Sequence, residues 1–458
     1  WGGIDVAKLL NVINSYVSLN LLGMNVVAGS ANIILGETLQ RIESFAHEYM
    51  TPKDFLYADK FYLKSMKGFV GDIGTRDTQG LGTHMVEYFG VFDDYGRADM
   101  DRHTRMGQLF KMDTLYATSH LGEHYMQTRF LFGMLANKRA YNKAGEDIGR
   151  MVDMYELKNN KLVLKLEVDQ EKSKWTDNDI MEFKIKMRGI LSRLHGEYSE
   201  LGRVAIERYA LGRMAYLFRH FVVPGFRRRW GKKAYIERLG QYVEGNYITT
   251  SKFIGTLGSK FFGKTEENRE NAFFARLIDN LQSFKLSMFS EEWTMLSAHE
   301  KANIHRTLYE VSFLVLAIIL ANVLANIKPD PDEDEEWKMR YWAFIAYQTY
   351  RLQNELLFFS PKLDSATSIL RSPAASMSFI TNLTNLTGQI FHPTDVYKSG
   401  PWKGEPKIIK TLNNMAPITR QFYRLRDIDV QIPWMQKSGL GGRNRQDATD
   451  QSLPVYTP

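Results

Sequence analysis

Cysteine is absent from all 458 residues, which rules out disulfides, thiolate zinc sites and cysteine nucleophiles in one step. A chain of this length has no need of such cross-links, because it can bury a substantial core in the two or three domains its size suggests. A protein that unfolds and refolds in transit also gains from having no thiol to misoxidise. Missing as well are a phosphate-binding G-x-x-x-x-G-K-[ST] loop, a dinucleotide glycine fingerprint after a strand and a G-x-S-x-G nucleophile elbow. Enzymes that depend on those signatures are excluded, whereas enzymes with dispersed catalytic residues are not. No methionine stands at the first position, Trp1, and no signal peptide follows it; the expectation is a processed product or a portion of a larger protein.

What is present is mildly basic. Lys and Arg number 59 against 52 Asp and Glu, for a net charge of +7 and a pI near 9.1. Such a balance favours contact with nucleic acid or acidic membranes without demanding either. Aromatic residues make up 13% of the chain and methionines number 20, a composition opposed to bulk disorder and suited to adaptable apolar contacts.

The patterning is mainly helical. Between Lys8 and Glu37 no residue is charged, yet Asn11, Asn14, Ser18, Asn25 and Asn32 interrupt the apolar positions and make the stretch too polar for a membrane span. Val6, Leu10, Ile13 and Val17 fall at helical spacing, and Gly23, Gly29 and Gly36 either break a helix or let backbones approach. A core helical hairpin is expected, with a membrane-seeking or partner-binding segment as the other reading. Thr51, Pro52 and Asp54 start a helix that should run to about Phe69. Loops and short helices are expected from Gly71 to Gly96, and helix again from about Met106 to Leu135.

The run from Tyr155 to Lys165 places two short apolar stretches around Asn159-Asn160, a pair that tolerates positive φ, and predicts a β-hairpin. Thr176 and Asp179 cap a helix whose apolar residues Ile180, Phe183, Met187, Ile190 and Leu194 repeat at three and four, and Gly196 ends it. Ser297 and Glu300 form a second capping box, with helix expected up to Pro329. From Val311 to Ile327 no residue is charged, but seventeen residues broken by Asn322 and Asn326 are at the lower limit of a bilayer crossing. A buried bundle helix serves equally well. The acidic run Asp330 to Glu336 reads as a solvated linker. An aromatic helix from Trp337 to Phe359 follows, then short helices on long connections, with a flexible tail after Gly439. Three regions result: 1–150, 151–328 and 329–458.

Two constellations bear on chemistry. His120, Glu123 and His124 fit the H-x-x-E-H spacing in which two imidazoles one turn apart hold zinc and the glutamate acts as base, although no third ligand is identified. The alternating Asp330, Asp332 and Asp334 lack the tight glycine-containing loop of a polymerase magnesium site, so the linker explains them better. The strongest electrostatic feature is Arg219 with Arg227, Arg228, Arg229, Lys232 and Lys233, interleaved with Phe226 and Trp230; it suits polyanion contact, whether DNA or lipid. An exposed basic loop after a helix, or an arginine set paired with acidic neighbours, accounts for the same residues. No catalytic residue and no cofactor is called for by this reading.

Several strings occur in an order that resembles very large virion proteins of crAss-like bacteriophages. They are His124-Tyr125-Met126-Gln127, the hairpin near Asn159, Leu194-His195-Gly196-Glu197-Tyr198, Phe218-Arg219, Phe226-Arg227-Arg228-Arg229-Trp230 and Glu244-Gly245-Asn246-Tyr247. Pro417-Ile418-Thr419-Arg420-Gln421-Phe422-Tyr423 continues them toward the C-terminus. The resemblance covers about two thirds of the chain, and none of the strings is a catalytic signature. It implies a virion protein packaged with the genome or lodged near the portal and tail, in contact with other virion proteins and phage DNA. It further implies carriage toward the host envelope or cytoplasm during infection, with contact to the host membrane on the way. A non-catalytic segment of a virion RNA polymerase assembly and a zinc-dependent hydrolase are the alternative expectations.

Overall fold

The computed structural model describes residues 26–72, 80–91, 117–196, 222–261, 291–326, 375–398 and 403–416, with isolated positions at 16–17, 20, 209, 344–346, 348–349, 352, 356 and 420. The fold is mainly α, with small two-stranded antiparallel sheets between helices. Helix α1 spans Val26–Ala46, α2 spans Pro52–Asp72 and α3 spans Leu81–Phe89. Thr51 caps α2 as its sequence promised: its hydroxyl and backbone N–H both donate to Asp54 Oδ2, at 2.6 and 3.2 Å. Gly29 and Gly36 do not break α1. Gly36 instead brings it against α4, Ala117–Asn137, so closely that a Cβ would lie 1.7 Å from Met126 Sδ.

Helices α1 and α2 both pack on α4, and α4 leads into three hairpins spread along the next hundred residues. Strands β1 (Arg139–Tyr141) and β2 (Asp147–Arg150) pair first. After the 3-10 turn Met151–Met154, β3 (Tyr155–Lys158) pairs with β4 (Lys161–Leu164). Asn159 and Asn160 turn that hairpin at φ 52° and 59°, the double positive φ that a two-residue turn needs to match strand twist. Helix α5, Asp177–His195, starts on the reciprocal Thr176–Asp179 box and ends at Gly196 with φ 111°.

The core forms where these elements meet. Phe89 stands edge-on to Tyr155 and Phe183, Trp175 is edge-on to Phe183, and Trp175 Nε1 donates to the Tyr155 hydroxyl at 2.8 Å. Phe130, Leu131, Phe132 and Leu135 of α4 are closed to solvent; each contributes roughly 1.5–3 kcal/mol by leaving water. One continuous apolar cluster runs from Tyr49 to Val243.

The basic stretch is not a loop. It forms α6, Val222–Trp230, with Pro224 in its first turn, where the missing N–H costs nothing. Strands β5 (Ala234–Ile236) and β6 (Gln241–Val243) follow, then α7, Asn246–Phe261. The short α8, Glu291–Met295, precedes α9, Ala298–Asn326, which Ser297 and Glu300 cap reciprocally. Helix α9 lies against α1 and α7. Near the C-terminus α10, Ala375–Ile390, and α11, Lys407–Met415, pack together, their connection pinned by a Val396–Pro406 bridge. The start of the expected N-terminal hairpin, the acidic run, most of the aromatic helix and the tail after Gly439 lie outside the described residues.

Candidate functional site

The charged residues that matter most face inward. Asn303, Arg306, Thr307 and Glu310 recur at three and four along α9, so they form one stripe, and all four are buried. Arg306 Nε and Nη2 donate to Glu43 Oε2 at 2.8 and 2.7 Å, and Nη2 also reaches Glu48 Oε2 at 2.5 Å. Its other terminal nitrogen donates to Asn303 Oδ1 at 2.9 Å. Glu48 further accepts from Gln241 Nε2 at 2.7 Å and lies 3.0 Å from His299 Nδ1. Burial alone would raise the Glu48 carboxyl, but Arg306 and His299 outweigh it and hold the group well below the usual carboxylate range.

One turn further along α9, Glu310 receives Arg229 of α6, whose Nε donates to Oε1 at 2.6 Å. The pair is 2% and 3% exposed. Asn246 Nδ2 donates to the other Glu310 oxygen at 3.3 Å, and the Thr307 hydroxyl donates to the Asn246 carbonyl at 3.1 Å. Burial opposes the Arg229 charge, and Glu310 and Tyr247 more than offset that penalty. Two glycines permit this junction. Gly245 N–H donates to the Gly231 carbonyl at 2.8 Å, and a Cβ on Gly245 would lie 2.4 Å from the Arg229 carbonyl oxygen.

A third buried guanidinium belongs to Arg129 of α4, which has no solvent exposure and sits between the rings of Phe55 and Tyr125, 4.4 Å from each centroid. It pairs with Glu37, donates to Asp59 Oδ1 at 3.0 Å and to Gln40 Oε1 at 2.9 Å. Gln40 passes the contact on, donating to the Met126 carbonyl at 2.8 Å and lying 3.2 Å from His195 Nε2. Helices α1, α4, α5, α6, α7 and α9 are thereby tied through buried polar groups.

The expected polyanion set divides here. Arg227, Lys232 and Lys233 are exposed, Arg228 and Arg229 are buried, and Arg219 lies outside the described residues. The six therefore do not make one exposed basic loop: α6 turns Val222, Gly225 and Arg229 toward the core, leaving Arg227 outward. Lys233 lies 3.9 Å from Glu300.

Two of the H-x-x-E-H residues, Glu123 and His124, are occupied internally. His124 Nδ1 is 3.2 Å from the Tyr62 hydroxyl, and burial lowers this histidine to about 4. Glu123 accepts from Gln127 Nε2 at 3.1 Å, with burial pushing its carboxyl up. The His120 side chain lies outside the described residues. Among the described residues no group of three His, Asp or Glu side chains converges as metal ligands do.

Helix α9 has two different halves. Its N-terminal half carries the buried polar stripe, whereas Leu316, Ile319, Leu320 and Val323 are about half exposed at i, i+3, i+4 and i+7. Ala298–Leu320 is long and apolar enough to cross a bilayer, but Arg306 and Glu310 within it are held by ion pairs to other helices. Sequence reasoning singled out the apolar run and missed the stripe. The signal was available as Asn303, Arg306, Thr307 and Glu310 at helical spacing. No family model, curated protein or solved structure matches the chain, so its own residues carry the functional argument.

Proposed function

We propose that this chain is a non-enzymatic helical component of a crAss-like phage virion, packaged in the particle or near the portal and tail and carried toward the host with the genome. The observation that supports this reading is where the resembling strings fall. Tyr125 accepts from Arg129 and Gln127 holds Glu123 within α4, Asn159 makes the hairpin turn, Arg229 pairs with Glu310, and Gly245, Asn246 and Tyr247 build the α6–α7 junction. The resemblance thus rests on residues that hold the fold together.

In this role the outward Arg227, Lys232 and Lys233 contact packaged DNA or acidic lipid as screened surface charges. The distal apolar face of α9, at Leu316, Ile319, Leu320 and Val323, contacts the host membrane while the ion-paired proximal turns stay in the helical body. Mass spectrometry of gradient-purified particles from a phage encoding the chain tests the proposal. A fixed copy number per particle is expected; absence from particles contradicts it.

A further inference from the structure

Strands β5 and β6 pair with Tyr235 directly opposite Tyr242, and residues directly opposite one another share a face of a hairpin. The other face carries Ile236 and Val243, which pack on the core, and Gln241, whose Nε2 donates to Glu48. The tyrosines therefore point outward: they are 54% and 63% exposed, edge to face, with ring centroids 5.3 Å apart. Their contact across the strands adds only modestly to a hairpin, and this hairpin is already braced at both ends. At its base the Gly245 N–H donates to the Gly231 carbonyl at 2.8 Å. At its tip the 3-10 turn Glu237–Leu239 lies on α5, where a Cβ on Gly189 would be 3.0 Å from the Cβ of Arg238. Trp230, the aromatic residue at the end of the basic helix, is by contrast turned edge-on to Tyr247 at 5.0 Å. The core makes no use of the two outward rings.

Charge beside the rings indicates what they meet. Lys232 and Lys233 are exposed just before β5, so their Cα atoms lie at most about 12 and 8 Å from that of Tyr235. From Arg227 through Val243 the only acid is Glu237. The next acid, Glu244, is buried and engaged by Lys252 and Thr249. We propose that the β5–β6 hairpin is a stacking platform for single-stranded nucleic acid, with bases on Tyr235 and Tyr242 and the flanking phosphates on Lys232 and Lys233. A single strand offers free base faces to aromatic rings, whereas in a duplex those faces are covered by neighbouring bases. An anionic lipid headgroup answers to the lysines but brings the tyrosines no planar partner. The inference builds on the polyanion contact of Lys232 and Lys233 and holds wherever in a particle the chain resides.

Fluorescence anisotropy of the full chain with a labelled oligothymidylate, either single-stranded or paired with oligoadenylate, tests it. Tighter binding of the single strand is expected. Tyr235→Thr and Tyr242→Thr, which keep a strand-favouring residue, should each weaken that binding at least about fivefold, and Tyr235→Phe and Tyr242→Phe should retain it. Lys232→Ser combined with Lys233→Ser should flatten the slope of log affinity against log salt by about 1.4. If a threonine variant loses the hairpin, ultraviolet cross-linking of an iodouracil-substituted strand to the parent chain carries the test, with adducts expected on Tyr235 or Tyr242. Equal affinity for strand and duplex, or adducts confined to other residues, would overturn the platform. Full binding by both threonine variants alongside weakened binding by the serine pair would also overturn it, while leaving the polyanion contact of the lysines standing. No binding of either form would overturn the platform and the DNA contact together.

Discussion

Arg229 of α6 and Glu310 of α9, eighty-one positions apart in sequence, meet at 2.6 Å with both side chains closed to solvent. The pair joins the basic helix to the long apolar one, and it settles which way α6 faces. Removing one partner leaves a buried charge without its counter-ion, a change that typically costs about 3–5 kcal/mol. Arg229→Met and Glu310→Leu should each cost that much in urea unfolding, while the double variant should cost clearly less than their sum. Additive losses would mean that the two groups do not act as a pair.

Gly245 should not tolerate a methyl group. The obstructing atoms are the Arg229 carbonyl oxygen at 2.4 Å and the Gly231 nitrogen at 2.7 Å, both backbone and unable to swing aside. Gly245→Ala is expected to destabilise by about 1–3 kcal/mol through overpacking. Gly255, exposed within α7, gives the opposite expectation, because an added Cβ there would meet nothing within 4 Å: Gly255→Ala should stabilise by about 0.5–1 kcal/mol. Denaturant midpoints of the two variants should move in opposite directions.

Stability should fall in mild acid. His124 and His195 are lowered from 6.5 to about 4, His124 by burial and His195 by burial together with Arg228 and Arg129. Both are neutral in the folded chain where the unfolded chain would take up protons. Their contribution is therefore fully present above about pH 6.5 and is lost as pH falls through about 4. Glu48, also held low, extends the loss further into acid. Urea midpoints between pH 7 and pH 4 should decline, with a shallower slope in His195→Gln; a flat profile across that window would contradict the burial assigned to these histidines.

The distal turns of α9 should be separable from the fold. Leu316→Lys with Ile319→Lys alters residues about half exposed, so the change in stability should stay within about 0.5 kcal/mol per site. Co-sedimentation with anionic liposomes should nevertheless drop. Unchanged liposome binding would remove this face from membrane contact.

The legible parts of the fold were those set by local chemistry. Thr51 with Asp54, Thr176 with Asp179 and Ser297 with Glu300 each announced a helix start, and Asn159-Asn160 announced a hairpin turn. Strands of three residues, such as Arg139–Tyr141 and Ala234–Ile236, are too short to show alternation, so the outer hairpins left no comparable mark. The inward course of Arg228 and Arg229 was hidden because consecutive arginines look solvated. Arg229 is buried against a partner far along the chain, Glu310, and shares its helix face with the buried Gly225 and Val222. The polar stripe of α9 was present at helical spacing, but hydropathy reads such a stripe as an interruption of an apolar run.

The most direct measurement is the copy number of this chain, by quantitative mass spectrometry, in genome-filled particles and in the same particles after genome release. A constant number of copies is expected in filled particles, falling on release if the chain travels with DNA and persisting if it is fixed at the portal or tail. Its absence from both would contradict the assignment to the virion.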